Sequence, residues 1–354
     1  MKRLVVMVGP RPDAKGGTAR VIAVYGQAGL FGEHDGGLVV RLHPSTIDGS
    51  AAAKLGFALR QLASFLVAPL PRGSIVHVHC AAGPSFWRKA AYARLARWKG
   101  ARVLLHVHPI HFLDFFERGG ALRRRAIRST IALCEMVIVL TESVAGRYRS
   151  LALAERIVPV PNPVDLGEFR IGPAPRRREE TVVYVGWFVP EKGAQDLLDA
   201  IARLRGGRPG LRAVFAGYKG ERELRDRVRA LGLESTVEIA GWLGRAETIG
   251  LLRSCTLIAL PSHSEGVPMV LLEAMACGTP IVTCGVGGIP DIVREDRNAL
   301  YVQPGDVAGL SVAIGRLLDH PELRDEMSRA NLEDVRRYDA TAVEQQLLGI
   351  YREL

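Results

Sequence analysis

Short continuous runs of Val, Ile and Leu alternate along the chain with longer stretches in which apolar residues recur at helical spacing. Continuous runs, unlike alternating ones, predict strands that are buried on both faces, as in a parallel sheet with helices on each side. Six runs fall in the first half of the chain, at residues 4–8, 37–42, 74–79, 102–107, 136–140 and 157–160. Six more fall in the second half, at residues 181–185, 211–216, 236–240, 256–260, 280–283 and 299–302.

Helical patterns lie between these runs, at residues 19–28, 86–99, 193–205, 221–231 and 266–276. The alternation of strand and helix continues from end to end, so it predicts an α/β fold with two doubly wound, Rossmann-like domains. Near the C-terminus, one apolar helical stripe is formed by Val343, Leu347, Leu348 and Tyr351. This stripe predicts a final helix that docks on the rest of the protein.

The length of the chain and one polar segment predict the domain boundaries. A chain of 354 residues is long for a single core and suits two domains. Residues 172–180 combine Gly, Pro and charges without an apolar run, which is typical of a linker; a surface loop inside one domain is the alternative. We therefore predict an N-terminal domain at residues 1–170, a linker at 171–180 and a C-terminal domain at 181–335. The helix at residues 336–354 is expected to pack back toward the N-terminal domain.

Composition argues against several classes of protein. No stretch reaches the roughly 18 apolar residues of a membrane-spanning helix. The apolar start at residues 4–8 is short for a signal peptide and ends at Gly-Pro-Arg-Pro, so we interpret it as a first buried strand. The five cysteines have no CxxC spacing, which argues against a disulfide framework or a zinc site and favours the thiols of a cytosolic protein.

The formal net charge of +10 is unevenly distributed along the chain. Residues 1–170 carry 24 Lys and Arg against 11 Asp and Glu, whereas residues 171–354 carry 23 against 26. The first half alone is therefore expected to face an anionic partner. The chain has no nucleic-acid recognition motif, so we expect no nucleic-acid partner.

Loops that follow strands hold the first candidate residues, because ligands bind beyond the carboxyl ends of strands in open parallel sheets. Gly16 and Gly17 precede a helix, where backbone N–H groups and the positive helix end can hold an anion; a plain connecting loop is the alternative. Gly186 and Lys192 follow the first run of the second half. Lys192 stands just before a helix, where its charge can act on a phosphate; an exposed lysine near a turn is the alternative.

Two glutamates eight residues apart mark the most informative segment, residues 261–280. Glu265 falls in a predicted turn, and Glu273 falls inside an otherwise apolar helix. Burying a carboxylate is costly unless it accepts hydrogen bonds, and the hydroxyls of a sugar or a ribose are natural donors. The alternative, two solvated surface acids, suits Glu265 better than Glu273.

Two His-x-His pairs, His77 with His79 and His106 with His108, stand at the ends of two runs, and His111 follows nearby. Residues two apart on a strand share one face. A metal site would need further ligands in a known geometry, so we favour one or two imidazoles, His108 first, that project into a cleft as hydrogen-bond donors. The sequence contains no Asp-x-Asp pair, which argues against a divalent ion held on a nucleotide.

The segment at residues 261–280 resembles the E-x7-E signature of the retaining glycosyltransferases of family 4, which have the GT-B architecture. Glu265 and Glu273 occupy its two Glu positions. The order of further motifs is also similar to this family: Gly16-Gly17, Asn162-Pro163-Val164-Asp165, Gly186 to Gly193 and Gly287-Gly288-Ile289-Pro290-Asp291. The resemblance covers nearly the whole chain and implies two Rossmann-like domains facing a central cleft.

The resemblance implies an activity as well. The enzyme would move a hexose-type sugar, with retention and without a metal or other cofactor, from a nucleotide diphosphate sugar to a glycan or lipid-linked acceptor, in polysaccharide or glycoconjugate biosynthesis. The implied donor-binding residues are Gly16, Gly17, Gly186, Lys192, Glu265, Gly266, Val267, Pro268 and Glu273. Glu273 would accept from the ribose, and Lys192 with the paired glycine amides would hold the diphosphate. Glu265 and His108 would contact the donor sugar, so that His108, Glu265 and Lys192 form the implied catalytic set.

Trp187 departs from the family pattern, which usually has Arg or Lys directly after the glycine at Gly186. One cation that would neutralise the leaving diphosphate is therefore missing at this position, and such charge stabilisation is a large catalytic effect. A second hypothesis is accordingly a non-catalytic nucleotide-sugar or lipid-binding protein of the same fold. A third is a nucleotide-sugar epimerase, against which the E-x7-E segment argues.

The basic first half predicts contact with an anionic membrane surface, because Lys and Arg near anionic lipid contribute on the order of 1 kcal/mol each. The basic residues concerned are Arg88, Lys89, Arg94, Arg97, Lys99, Arg102, Arg118, Arg123, Arg124, Arg125 and Arg128. We expect a cytoplasmic protein that is peripheral at the inner face of the membrane. Solvated helix faces are the alternative explanation of these charges.

Overall fold

The structure is a computed structural model that describes residues 2–108, 112–169 and 180–354. The chain divides into two compact units. The first comprises Met1–Asp165 and Tyr338–Leu354, and the second comprises Leu166–Arg337. His111, and all of the predicted linker at residues 171–180 except Glu180, lie outside the described residues.

The first unit is built on a seven-stranded sheet. Its strands are β1 (Arg3–Pro10), β2 (Gly32–His34), β3 (Leu38–Thr46), β4 (Ile75–Cys80), β5 (Arg102–Val107), β6 (Met136–Val139) and β7 (Ile157–Pro159). The strand order is β2-β3-β1-β4-β5-β6-β7, and every neighbouring pair is parallel except β2 with β3. Strands β4 and β6 are buried along their whole length, as continuous apolar runs predict.

In the described residues of the first unit, six helices connect the strands. They are α1 (Gly17–Gln27), α2 (Ala51–Val67), α3 (Pro84–Trp98), α4 (Phe112–Glu117), α5 (Ala121–Ile131) and α6 (Glu142–Ser150). Helix α1 follows β1 directly, and its N-cap residue Gly16 has a φ of +125°, a conformation that suits glycine. The chain therefore enters α1 through the predicted glycine pair.

The second unit contains a six-stranded parallel sheet. Its strands are β8 (Thr181–Val185), β9 (Arg212–Ala216), β10 (Val237–Gly241), β11 (Leu257–Leu260), β12 (Ile281–Cys284) and β13 (Ala299–Val302). Their order is β10-β9-β8-β11-β12-β13. The order along the chain therefore reverses between β8 and β11, and this topological switch point is where doubly wound sheets bind their ligands.

The helices of the second unit include the segment with the two glutamates. They are α7 (Leu166–Phe169), α8 (Ala194–Leu204), α9 (Glu221–Ala230), α10 (Arg245–Ser254), α11 (Met269–Ala276), α12 (Val307–Asp319) and α13 (Pro321–Asp334). Helix α11 begins three residues later than the pattern at residues 266–276 predicts. Pro268 is its N-cap and keeps the preceding residue Val267 out of the helical conformation.

The last helix, α14 (Ala340–Glu353), belongs to the first unit. The predicted apolar stripe is buried, with Tyr351 fully so, and Nδ1 of His77 lies 2.5 Å from the hydroxyl of Tyr351. Within the described part of the chain, no helix combines the length and the apolar character needed to cross a membrane.

Candidate functional site

Two loops flank the switch point of the second unit, one after β8 (residues 186–193) and one after β11 (residues 261–268). They are held together through their backbones, since the amide of His263 donates to the carbonyl of Glu191 at 2.9 Å. Gly193 has a φ of +68°, and a Cβ at this position would lie 2.1 Å from the carbonyl oxygen of Pro261. Only glycine fits at position 193, because a side chain there would prevent the close approach of the β8 and β11 loops.

An ion pair joins the two loops. Nζ of Lys192 lies 2.6 Å from Oε1 of Glu265, with the side chains 25% and 10% exposed. The same carboxylate oxygen accepts a hydrogen bond from the hydroxyl of Ser262 at 3.0 Å, and Lys192 also donates to the carbonyl of Ser264 at 3.4 Å. The structure therefore brings together two predicted site residues that are 73 positions apart in the sequence.

Glu273 lies inside α11 and is buried, as its apolar neighbours predict. Its carboxylate is paired with a residue that sequence reasoning missed: Nη1 of Arg245 lies 2.5 Å from Oε1 of Glu273. The guanidinium of Arg245 also donates to Glu168 at 2.6 Å and lies over the ring of Phe169. The two acids and the arginine thus form one charged cluster beside the switch point.

The remaining predicted residues of the β11 loop connect to the loop after β12. The carbonyl of Gly266 accepts from the amide of Gly288 at 3.1 Å, and a Cβ on Gly288 would meet that carbonyl oxygen at 2.6 Å. Val267 and Pro268 are buried where the chain enters α11. The backbone of residues 266–268 is thereby fixed at the positive end of a helix, where an anion is favoured.

Gly186 lies where the β8 loop passes close to the loop after β9. Its amide donates to the carbonyl of Ala216 at 2.9 Å, and a Cβ on Gly217 would lie 1.7 Å from the carbonyl oxygen of Gly186. The hydroxyl of Tyr184 donates to the carbonyls of Trp187 and Lys192, which ties the two ends of the β8 loop together. At Gly186, the loops after β8 and β9 are therefore in close backbone contact.

In the first unit, Gly16 and Gly17 lie at the N-terminal end of α1. A Cβ added to either glycine would meet nothing within 4 Å, so both peptides border open space. This space leaves room for a ligand, and the helix end would favour an anion.

The four histidines of the two His-x-His pairs lie side by side on one face of the sheet. Strands β4 and β5 are paired in a register that sets His79 opposite His106. Nε2 of His77 lies 3.2 Å from Nδ1 of His106, and Nδ1 of His79 lies 2.7 Å from Nε2 of His108. All four are buried, with His108 at 9% exposure.

Burial keeps these imidazoles neutral. Desolvation lowers the pKa of His77 and of His108 to about 3, and a hydrogen bond with Asn162 partly opposes this effect at His108. Burial and the neighbouring imidazoles lower the pKa of His79 and His106 well below the usual value. The imidazole of His108 is therefore hydrogen-bonded to both His79 and Asn162.

Three of the four histidines, His77, His79 and His106, are grouped closely enough to hold a metal ion. The orientation of the rings favours hydrogen bonds instead. The planes of the His77 and His106 rings are parallel within 1°, and Nε2 of His77 faces Nδ1 of His106 at 3.2 Å. Nitrogens that face each other share a proton, whereas metal ligands point together at a third position.

One residue of the predicted basic surface is not on the surface. Lys89 on α3 is 2% exposed, and its Nζ donates to the carbonyl of Val8 at 3.2 Å and to the hydroxyl of Ser45. Burial lowers the pKa of Lys89 well below its usual value. The helical spacing of Phe86, Lys89 and Ala93 turns this lysine toward the sheet, so it cannot contact a membrane.

Comparisons with known proteins agree with this fold. Residues 6–168 match the family described as Glycosyltransferase Family 4, and residues 168–334 match the one described as Glycosyl transferases group 1. The D-inositol 3-phosphate glycosyltransferase of Acidothermus cellulolyticus is 30% identical over 308 residues, which cover 79% of this chain and 67% of that protein.

Solved structures are similar over the whole chain. Sucrose-phosphate synthase from Thermosynechococcus elongatus superposes with a TM-score of 0.78 at 19% identity, covering 99% of both chains. Anabaena HepE in complex with UDP and glucose superposes with a TM-score of 0.76 at 18% identity, covering 100% of both. The chain belongs to glycosyltransferase family 4 and has the GT-B fold.

Proposed function

We propose that this protein is a retaining glycosyltransferase that moves a hexose-type sugar from a nucleotide diphosphate sugar to a glycan or lipid-linked acceptor. This proposal rests on two ion pairs beside the switch point of the second unit. Lys192 is paired with Glu265, and Arg245 is paired with Glu273. Charged side chains of both signs in a largely buried setting are typical of sites that bind a polar, anionic ligand.

The donor's parts are assigned to residues of the second unit. The carboxylate of Glu273 accepts hydrogen bonds from the ribose hydroxyls. Arg245 holds this carboxylate in place. Lys192 neutralises the diphosphate, and the backbone of residues 266–268 at the start of α11 faces the sugar and phosphates. HepE, similar in fold, is known in complex with UDP and glucose, which supports a donor of this class.

The proposed reaction breaks the bond between the anomeric carbon and the diphosphate oxygen and forms a bond from the same carbon to the acceptor oxygen. The acceptor attacks on the face from which the diphosphate leaves, and its proton passes to the departing phosphate oxygen. Lys192 stabilises the negative charge that develops on the diphosphate, and a positioned cation in such a place is worth a large share of the rate. We propose that these protein charges replace a divalent metal ion.

We further propose that the first unit binds an anionic membrane that carries the acceptor. Helix α2 supports this, because only Phe65 of its seventeen residues is buried. Leu55, Leu59, Leu66 and Val67 are exposed on α2, and the chain has no Asp or Glu between Asp48 and Asp114. Apolar side chains among basic ones are typical of helices that lie in the headgroup region. The membrane would present an acceptor for polysaccharide or glycoconjugate synthesis to the first unit.

The proposed compartment is the cytoplasm, at the inner face of the membrane. The five cysteines form no disulfide in the part of the chain that the structure describes, and Cys80, Cys255 and Cys284 are buried. Burial raises the pKa of the Cys284 thiol to about 12. Buried thiols outside disulfides suit a reducing compartment.

A donor panel tests the proposed activity. Purified full-length protein is incubated with UDP-, GDP-, ADP- and TDP-hexoses, and donor cleavage and transfer are followed by mass spectrometry, with NMR assignment of the product anomer. Cleavage with an α-linked product from an α-linked donor supports the proposal. Nucleotide binding without any turnover would instead support the non-catalytic binding protein that Trp187 suggests.

Vesicle co-sedimentation tests the membrane proposal separately. We expect binding to phosphatidylglycerol vesicles at low salt, little binding to phosphatidylcholine vesicles, and a weaker response for Leu59→Glu with an unchanged melting temperature. No binding of the wild type to anionic vesicles at low salt would refute the membrane proposal and leave the proposed chemistry intact.

A further inference from the structure

An aromatic group with one lysine covers the carboxyl ends of β8, β9 and β10. Nζ of Lys219 lies 3.4 Å from the centroid of the Trp187 ring and 5.8 Å from that of Tyr218. The rings of Trp187 and Tyr218 are 6.0 Å apart, and Tyr218 meets Trp242 edge to face at 5.1 Å. Lys219 is exposed, and Trp187 is partly exposed beneath it.

The backbone holds Lys219 in a fixed and unusual position. Its φ is +65°, a left-handed conformation that costs a non-glycine residue about 1–3 kcal/mol. The amide of Phe188 donates to the carbonyl of Lys219 at 3.0 Å, and a Cβ on the next residue, Gly220, would lie 2.1 Å from the carbonyl oxygen of Phe188. The loop after β9 is thereby pinned to the loop after β8, with the lysine side chain directed over Trp187.

The charge of Lys219 is not balanced by a carboxylate, unlike the other cations of this edge. Lys192 is paired with Glu265, and Arg245 is paired with Glu273. Lys219 has no carboxylate partner among residues 2–108, 112–169 and 180–354, and its ammonium contacts only aromatic rings. A cation–π contact at an exposed site is weak, so this charge remains available to an anion.

We propose that Lys219 is a phosphate-binding residue of the donor site and supplies the cation that is missing at Trp187. Its ammonium donates to a phosphate oxygen of the donor, while the ring of Trp187 holds the side chain above the β8 loop. The residue that departs from the family pattern thus becomes the support for a cation that comes from the neighbouring strand. This inference rests on the proposed function, because it needs a nucleotide diphosphate as ligand.

The test uses the full-length chain and isothermal titration calorimetry with UDP, GDP and ADP, and with the matching nucleosides, which lack phosphate. A hydrogen bond to a charged group is worth about 1.5–3 kcal/mol, so Lys219→Ala is expected to weaken binding of the preferred diphosphate about 10- to 100-fold. It should leave binding of the matching nucleoside unchanged. Arg222→Ala, at an exposed arginine three residues further along, is the matched control and should bind like the wild type.

A compensating variant tests the assigned position of the charge. Trp187→Arg places a guanidinium directly on the β8 loop, so the double variant Lys219→Ala/Trp187→Arg should regain most of the lost affinity. Equal diphosphate affinity in wild type and Lys219→Ala would overturn the inference alone. If the wild type binds none of the three diphosphates, that result refutes the proposed donor class and this inference with it.

Discussion

Nη1 of Arg245 lies 2.5 Å from Oε1 of Glu273, and the same guanidinium holds the carboxylate of Glu168 at 2.6 Å. Glu273 is 6% exposed inside an apolar helix, so the adjacent charge of this arginine stabilises its carboxylate. Removing one partner of a buried pair leaves an uncompensated charge, which costs more than the pair itself contributes. The second glutamate of the E-x7-E segment is therefore held in place by a residue outside that segment.

The first prediction concerns this pair. Arg245→Met is expected to lower the free energy of unfolding by about 3 kcal/mol, because it removes the cation that lies 2.5 Å from the buried Glu273 carboxylate. Urea unfolding followed by fluorescence measures the loss. Adding Glu273→Gln to that variant should recover part of the stability, since the buried charge at position 273 is then gone, whereas the contact of Arg245 with Glu168 is not restored. A double variant no more stable than Arg245→Met alone would contradict the assigned coupling.

The second prediction concerns Lys192. Lys192→Met is expected to reduce kcat about 100-fold, because the cation that stabilises the leaving diphosphate is removed. Its melting temperature should also fall, because the Glu265 carboxylate is only 10% exposed and loses this cation, so kcat is measured at a temperature at which the variants remain folded. Steady-state kinetics on the preferred donor measure the effect. The control is Arg203→Met, which removes an exposed cation from the last turn of α8. Equal rates in both variants would remove Lys192 from the proposed mechanism.

The third prediction concerns the contact between the β8 and β11 loops. Gly193→Ala forces a Cβ against the carbonyl of Pro261 and a side chain into a left-handed conformation, which alone costs about 1–3 kcal/mol. A lower melting temperature and weaker nucleotide binding should result together. Gly250→Ala is the control, because its Cβ would meet nothing within 4 Å on the exposed face of α10. That change should be neutral or slightly stabilising, since alanine favours the helix. A Gly193→Ala protein that melts and binds like the control would refute the close contact.

The strands could be predicted from the sequence because each is a continuous run of buried apolar residues. All twelve runs are strands in the structure. The strand that sequence reasoning missed, β2 (Gly32–His34), has three residues, no apolar run, and an antiparallel place at the edge of the sheet. This short strand is partly solvated, so its sequence carries no burial signal.

The candidate site could be predicted only in part. Lys192, Glu265 and Glu273 follow from loop position and from a carboxylate among apolar residues. Arg245 does not, because its partners lie 28 and 77 positions away and are brought to it only by the tertiary fold. Lys89 was assigned to the surface on its charge, although its helical spacing with Phe86 and Ala93 was a signal of burial.

The last prediction concerns the four histidines of the first unit. The folded-state pKa of His77 and of His108 is about 3, below the roughly 6.5 of an unfolded chain. The unfolded state therefore takes up protons first as the pH falls below 6.5, and stability is lost from there toward pH 3. Each such histidine removes about 1.4 kcal/mol per pH unit, and the loss begins above the range in which carboxylates titrate.

Hydrogen exchange of peptides from β4 and β5 measures this loss in the first unit itself. Their protection should fall steeply between pH 6.5 and pH 5, after correction for the intrinsic exchange rate. His106→Phe removes one of the four buried imidazoles, whose Nε2 has no hydrogen-bond partner among the residues that the structure describes, and should make the pH dependence shallower. His263→Phe changes an exposed histidine of the second unit and should leave the pH dependence of protection as in the wild type. The same slope in all three proteins would show that the imidazoles are not the acid-labile element, because burial is what separates His106 from His263.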